Sequence, residues 1–197
     1  MTSLPQDRDS WRSPSRIEQL QGVAFFLATL WGVYLLDLIL PGDWTRWGLQ
    51  PRSLVGSIGI VTMPFLHASL GHILSNTIPL AILLSLLAAT RTHSWILVVG
   101  IALLNGILLW ILGQNAEHVG ASGLVYGLAA FLIVAGFMER NIVSIIVSLS
   151  VIFVFGTSLF WGVLPIGNRG VSWDGHLLGA VAGGLVAWRL NQKQPQP

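Results

Sequence analysis

The chain has 197 residues, of which 53% are hydrophobic and only 9% charged, with a mean hydropathy of +0.72. Soluble domains carry about 25% charged residues, so the composition excludes an ordinary water-soluble enzyme and predicts one bundle facing the lipid bilayer. The ten Lys and Arg residues are scattered, which speaks for membrane topology and against a nucleic-acid partner; cysteine is absent, which removes disulfides and thiolate chemistry.

In chain order, residues 1–21 form a polar tail that alternates Arg8, Arg12 and Arg16 with Asp7, Asp9 and Glu18. No small-residue cleavage site interrupts the apolar stretch after it, so it does not read as a secretory signal. Gly22–Leu40 is the first predicted span, long enough for a hydrocarbon core of about 30 Å. Asp37 near its end is read as interfacial. Pro41 and Gly42 break the span, and a loop rich in Trp44, Arg46, Trp47 and Arg52 follows. Within that loop Val55–Leu66 is apolar but too short to cross, and Gly56, Gly59 and Pro64 interrupt it. It is expected to be a membrane-embedded, non-spanning segment.

Five further spans are predicted at Gly71–Ala89, Trp95–Leu112, Val119–Met138, Ile142–Leu164 and Asp174–Leu190, with a polar tail over 191–197. The expected fold is therefore an all-α membrane protein of six transmembrane helices, its bundle domain covering 22–190. The charge bias sets its orientation. With the amino terminus inside, Arg8, Arg12, Arg16, Arg91, Arg140, Arg189 and Lys193 are cytoplasmic, and Arg46, Arg52 and Arg169 lie outside. That distribution predicts both termini in the cytoplasm. The short tail and absence of an organellar address suggest a bacterial plasma membrane.

In this arrangement spans 2, 4 and 6 enter from the outer side. His72 and Asn76 lie in the first two turns of span 2, and Ser122 and His176 in the first turns of spans 4 and 6, all within about 10 Å of one membrane boundary at 1.5 Å per residue. His72 and Asn76 are four apart and share a helix face, as do Ser122 and Tyr126. Gly123 and Gly127 permit close backbone approach, and Gly175, Gly179 and Gly183 form a second ladder beside His176. Packing of the two ladders would bring His176 to Ser122. Taken alone, Ser122 between Gly120 and Gly123 reads either as a small packing residue or as a nucleophile.

The second reading assigns each polar group a task. Serine needs a base within hydrogen-bond reach, and a neutral imidazole at His176 can take its proton and return it to the leaving amine. Asn76, His72 and the Ser122 backbone N–H would stabilise the oxyanion. Tyr126 would hold the His176 ring by stacking. Asp174 fits a helix N-cap better than a third triad member. His67 is expected to be a loop residue, Glu117 and His118 exposed loop residues, and Asn105 interhelical glue. His93 falls in the opposite loop. No metal-ligand spacing occurs among the histidines, and no cofactor is expected.

These residues resemble the rhomboid family of intramembrane serine proteases. Gly120-Ala121-Ser122-Gly123 with Tyr126 is similar to its GxSG helix, and His72-Ile73-Leu74-Ser75-Asn76 to its HxxxN motif. Ser172-Trp173-Asp174-Gly175-His176 with Gly179 and Gly183 resembles its last helix, and His67 matches a further histidine. The family's first-loop Trp-Arg pair is reversed here as Arg46-Trp47. The resemblance implies a six-helix rhomboid fold, a Ser122–His176 dyad and cleavage of transmembrane protein substrates near the outer boundary. Phe153, Phe155, Phe160 and Trp161 are candidates for a lateral gate, with lipid-facing aromatics as the alternative. A catalytically inactive relative that binds transmembrane helices would lack Ser122 or His176. A small transporter would spread polar residues through the membrane depth. Nothing in the sequence sets an oligomeric state.

Overall fold

Ser15 starts the first long helix by a reciprocal cap. Its hydroxyl accepts from the Glu18 backbone N–H, and the Glu18 carboxylate accepts from the Ser15 N–H at 2.6 Å. Helix α1 therefore runs Arg16–Ile39, claiming six residues that their polarity had assigned to the tail. The computed structural model describes residues 13–166 and 172–192. Arg8, Arg12, Arg169 and Lys193, which entered the charge-bias argument, lie outside the described residues.

After α1 the short helix α2 spans Gly59–Thr62. The long helices α3 (Leu70–Thr90), α4 (Ser94–Leu112), α5 (Ser122–Glu139), α6 (Ile142–Gly162) and α7 (Trp173–Asn191) follow. Helices α1, α3, α4, α5 and α6 are long and apolar enough to cross a membrane. Helix α7 matches α4 in length but carries Asp174, His176, Arg189 and four glycines, which lower its hydropathy. The expected six-span bundle is thus five strongly apolar helices and one more polar helix. The polar one packs most closely against α5.

Helix α5 is the axis of the molecule. It touches α3, α4, α6 and α7, and its buried side chains run almost without interruption from Gly123 to Gly136. Such all-round burial explains why its sequence shows no polar face. Leu124, Leu128, Phe131 and Leu132 meet Leu80, Leu83, Leu84 and Leu87 of α3 in the main core.

The segment between α1 and α3 contains four short turns of helix, 3-10 turns at Trp44–Trp47 and Val55–Ile58, α2 and a 3-10 turn at Met63–Phe65. None is long enough to span. Its anchor is Arg52, whose backbone N–H donates to the Trp110 carbonyl at 2.9 Å and whose guanidinium donates to Gly113 O at 2.8 Å. These bonds satisfy backbone carbonyls at the end of α4, which the helix itself cannot pair. Trp110 Nε1 returns a bond to Ser53 O at 2.9 Å. By contrast, among the described residues the Arg46 side chain bonds the nearby Asp43 carbonyl.

The other end of the bundle has its own polar ties. The Arg16 side chain donates to Ala89 O, the Ser94 hydroxyl and backbone N–H donate to the Gln19 side chain, and Arg91 pairs with Glu139.

Candidate active site

Gly120 turns the chain into α5 at φ +106°, a conformation that side-chain-bearing residues rarely adopt. Its N–H donates to Met63 O at 2.9 Å, so the embedded loop holds the entry to the helix. Ser122 is the first residue of α5 and is half-buried. Its backbone N–H belongs to the first turn, where N–H groups lack intrahelical partners.

Helix α3 begins at the same end, where the Ser69 hydroxyl accepts from the His72 N–H. His72 and Asn76 project toward Gly120. A Cβ built on Gly120 would collide with His72 Nε2 and lie 3.5 Å from Asn76 Nδ2. Asn76 is buried, and its amide donates to His72 O at 3.2 Å. The structure thus brings His72 and Asn76 beside the turn that carries Ser122.

Helix α7 meets α5 at the backbone. A Cβ on Gly179 would occupy the position of the Gly123 carbonyl oxygen, and one on Gly183 that of Gly127 O. A Cβ on Gly123 would lie 3.2 Å from Gly175 O. The residue after Ser122 is therefore in contact with the residue before His176. Only glycine allows helices this close.

The His176 ring is buried and stacked on Tyr126, with centroids 4.1 Å apart and planes 6° from parallel. Tyr126 is itself held by its hydroxyl, which donates to Ser158 O at 2.9 Å. His176 Nδ1 is 2.9 Å from Gly162 O. A carbonyl oxygen only accepts, so Nδ1 carries the hydrogen and a neutral ring keeps its lone pair on Nε2. The partner that selects this tautomer is a backbone carbonyl at the end of α6.

Asp174 does not take that part, nor does it cap α7. The cap is Ser172, whose hydroxyl accepts from the Gly175 N–H at 3.2 Å. Asp174 Oδ2 instead accepts from the Gln114 N–H at 2.8 Å, and Oδ1 accepts from the Ser172 hydroxyl at 3.0 Å. His118, expected to be exposed, is buried between Ser172 and Gln114. The sequence offered one weak signal for this cluster: polar residues at 114, 118, 172 and 174 flank both glycine-rich helices.

His67 is buried, packs edge-on against His72 at 5.0 Å between ring centroids, and approaches Phe65 O through Nδ1 at 3.4 Å. Burial, with the neighbouring His72, pushes its pKa down to about 4. Of the aromatic residues proposed for a gate, Phe153, Phe160 and Trp161 are exposed on α6, whereas Phe155 packs against the core. Asn105 is buried beside Gly123, where its amide nitrogen would collide with an added Cβ.

Comparison with known proteins places this architecture. A family model described as the Rhomboid domain matches residues 56–193. An uncharacterized protein of Mycobacterium tuberculosis is 38% identical over 176 residues, covering 84% of this chain and 72% of its own. One from Mycobacterium bovis matches to the same extent. An uncharacterized protein of Mycobacterium leprae is 35% identical over 175 residues, covering 84% and 69%.

Proposed function

The chain belongs to the rhomboid family, a family of serine proteases, and on that premise we propose that it is an intramembrane endopeptidase working through a Ser122–His176 dyad. The single observation that carries the reading is the His176 Nδ1 contact with Gly162 O, on a helix packed glycine-to-glycine against the turn that begins at Ser122. That contact leaves Nε2 as the basic nitrogen, the state a general base requires.

In the proposed reaction Ser122 Oγ attacks the carbonyl carbon of a substrate peptide bond, and His176 Nε2 takes the hydroxyl proton. The tetrahedral oxyanion is met by the Ser122 N–H, the Asn76 amide and His72 Nε2–H. His176 then gives its proton to the leaving amine, and the C–N bond breaks. A water, deprotonated by the same nitrogen, hydrolyses the acyl-enzyme and restores the serine. Tyr126 keeps the imidazole plane in place throughout. Gly120 keeps a side chain out of the space filled by His72 and Asn76, and Gly123 keeps one out of the contact with α7 at Gly175.

Substrates are transmembrane segments of other membrane proteins, and the site faces the outer side of a bacterial plasma membrane with both termini in the cytoplasm. Support for the orientation comes from the Lys and Arg bias. Support for the depth comes from the common end at which α3, α5 and α7 start, beside an embedded loop whose irregular backbone is tolerated in a membrane where it is buried in protein or lines a water-filled cavity.

The test is fluorophosphonate labelling and substrate cleavage by the full chain in detergent. The parent should label at Ser122 and cut a tagged transmembrane substrate, whereas Ser122→Ala and His176→Ala should do neither. Equal cleavage by all three would rule out the dyad.

A further inference from the structure

We propose that His118 is a positioning residue: held as an imidazolium facing Asp174, it locks the loop that delivers Ser122 onto the helix that delivers His176. The role in catalysis rests on the protease reading, whereas the lock itself stands on geometry alone.

Hydrogen-bond bookkeeping assigns the charge. His118 Nε2 lies 3.2 Å from Gln114 O, and a carbonyl only accepts, so this nitrogen carries a hydrogen. Nδ1 lies 2.8 Å from Ser172 Oγ. The Ser172 hydroxyl has one hydrogen, and the Asp174 carboxylate oxygen 3.0 Å away can only accept it. Ser172 must then receive from Nδ1. Both ring nitrogens donate, which only the imidazolium can do. Asp174 Oδ2 supplies the counter-charge at 3.8 Å from Nε2. A neutral ring would leave one of these contacts as acceptor against acceptor inside a buried cluster, a costly arrangement.

Three segments are tied at this point. Gln114 and His118 belong to the loop that enters α5 four residues later at Ser122. Ser172 and Asp174 lead α7, and His176 follows within one turn. Leu49 of the embedded loop exchanges both backbone bonds with His118, each 2.9 Å. The relative position of Ser122 and His176 therefore depends on a side chain outside the reacting pair. Among the described residues the charged group that approaches His118 is Asp174 on α7, while Arg52 on the embedded loop bonds Gly113 O. Glu117 on the same loop is exposed, and His176 lies beyond Asp174 on α7.

Two measurements on the full chain in detergent micelles test this. In ring-nitrogen NMR, the His118 signals are those absent from His118→Gln. Both nitrogens should be protonated at pH 7, and a neutral ring there overturns the proposal. In steady-state kinetics, His118→Gln should show about a tenfold or greater loss of kcat with KM little changed, the scale of a small misplacement of reacting groups. Parent kcat in that variant overturns the role. Because removing one member of a buried pair can unfold a protein, the double variant His118→Gln/Asp174→Asn, which removes both charges, should fold and show the same loss of kcat at little-changed KM. A double variant with the parent kcat overturns the proposal equally. A parent unlabelled at Ser122 sinks the protease reading and the positioning role together, while the ring spectrum still decides whether the lock exists.

Discussion

The rings of Tyr126 and His176 lie parallel, 4.1 Å between centroids, and each is fixed at its far edge by a backbone carbonyl of α6: Ser158 O for the phenol and Gly162 O for the imidazole. Helix α6 thus orients both rings without contributing a side chain to either bond. An imidazole held by a carbonyl needs no carboxylate to choose its tautomer, so a two-residue site can suffice where a triad is otherwise expected.

Replacing Tyr126 separates the stack from the hydroxyl bond. Tyr126→Phe keeps the ring contact, worth about 0.5–1.5 kcal/mol, and should retain most of kcat. Tyr126→Ala leaves the His176 ring held by its Gly162 O bond without the stack and should lower kcat about tenfold or more with KM little changed. Steady-state kinetics on one transmembrane substrate distinguishes the two.

The contact between α5 and α7 makes a sharp positional prediction. Gly179→Val and Gly183→Val place atoms where Gly123 O and Gly127 O stand, an overpacking that costs about 1–3 kcal/mol or more. Both should unfold at lower temperature in detergent and lose activity. Gly184→Ala on the same helix meets only Val134 Cγ2, at 3.9 Å, an ordinary contact. It should melt like the parent, and a matching loss there would refute backbone contact as the cause.

Gly120→Ala should be severe for two reasons that act together. The residue sits at φ +106°, and its new Cβ would displace His72 Nε2. We expect the protein to fold and cleavage to be lost, with insertion checked by its yield in membranes. Cleavage at the parent rate would show that His72 need not occupy its present place.

Asn76→Ala removes one donor of the proposed oxyanion site, and such a donor is worth about 2.7–4 kcal/mol in transition-state stabilisation. Turnover should drop by about two to three orders of magnitude, while fluorophosphonate labelling of Ser122 persists at a reduced rate. Loss of labelling altogether would assign Asn76 a structural part instead.

His67 predicts how stability varies with acidity. Its pKa in the fold is about 4, below its ordinary value of 6.5. Between those values the unfolded chain binds a proton that the folded one does not, so stability rises with pH through this window and is lost as pH falls through it. Melting temperature measured from pH 7 down to pH 4 should decline more steeply for the parent than for His67→Gln. Identical slopes would mean that His67 is not held neutral.

Much of this protein was legible before any coordinates. The apolar runs, the interrupted segment at 55–66, the glycine ladders and the shared depth of His72, Asn76, Ser122 and His176 depend on residue type and spacing, and those are properties of the string. Helix geometry converts spacing into faces wherever a span is long and apolar. The carboxyl end of α1 and both ends of α4 fell within a residue of expectation for that reason, whereas the start of α1 did not, because a capping box can extend a helix into polar sequence.

Tertiary structure alone decided which groups orient the site. The His176 partner is a main-chain carbonyl, present at every position and therefore invisible in composition; Gly162 became that partner because α6 ends beside α7. Arg52 and Arg46 look alike in sequence, yet only Arg52 reaches the unpaired carbonyls ending α4. His118 and Asp174 read as a solvated loop residue and a cap, and became a buried pair because the start of α7 folds onto the loop that precedes α5. Sequence specifies the periodic and the local; contacts between backbone and side chains far apart in the chain exist only once packing has chosen which ends meet.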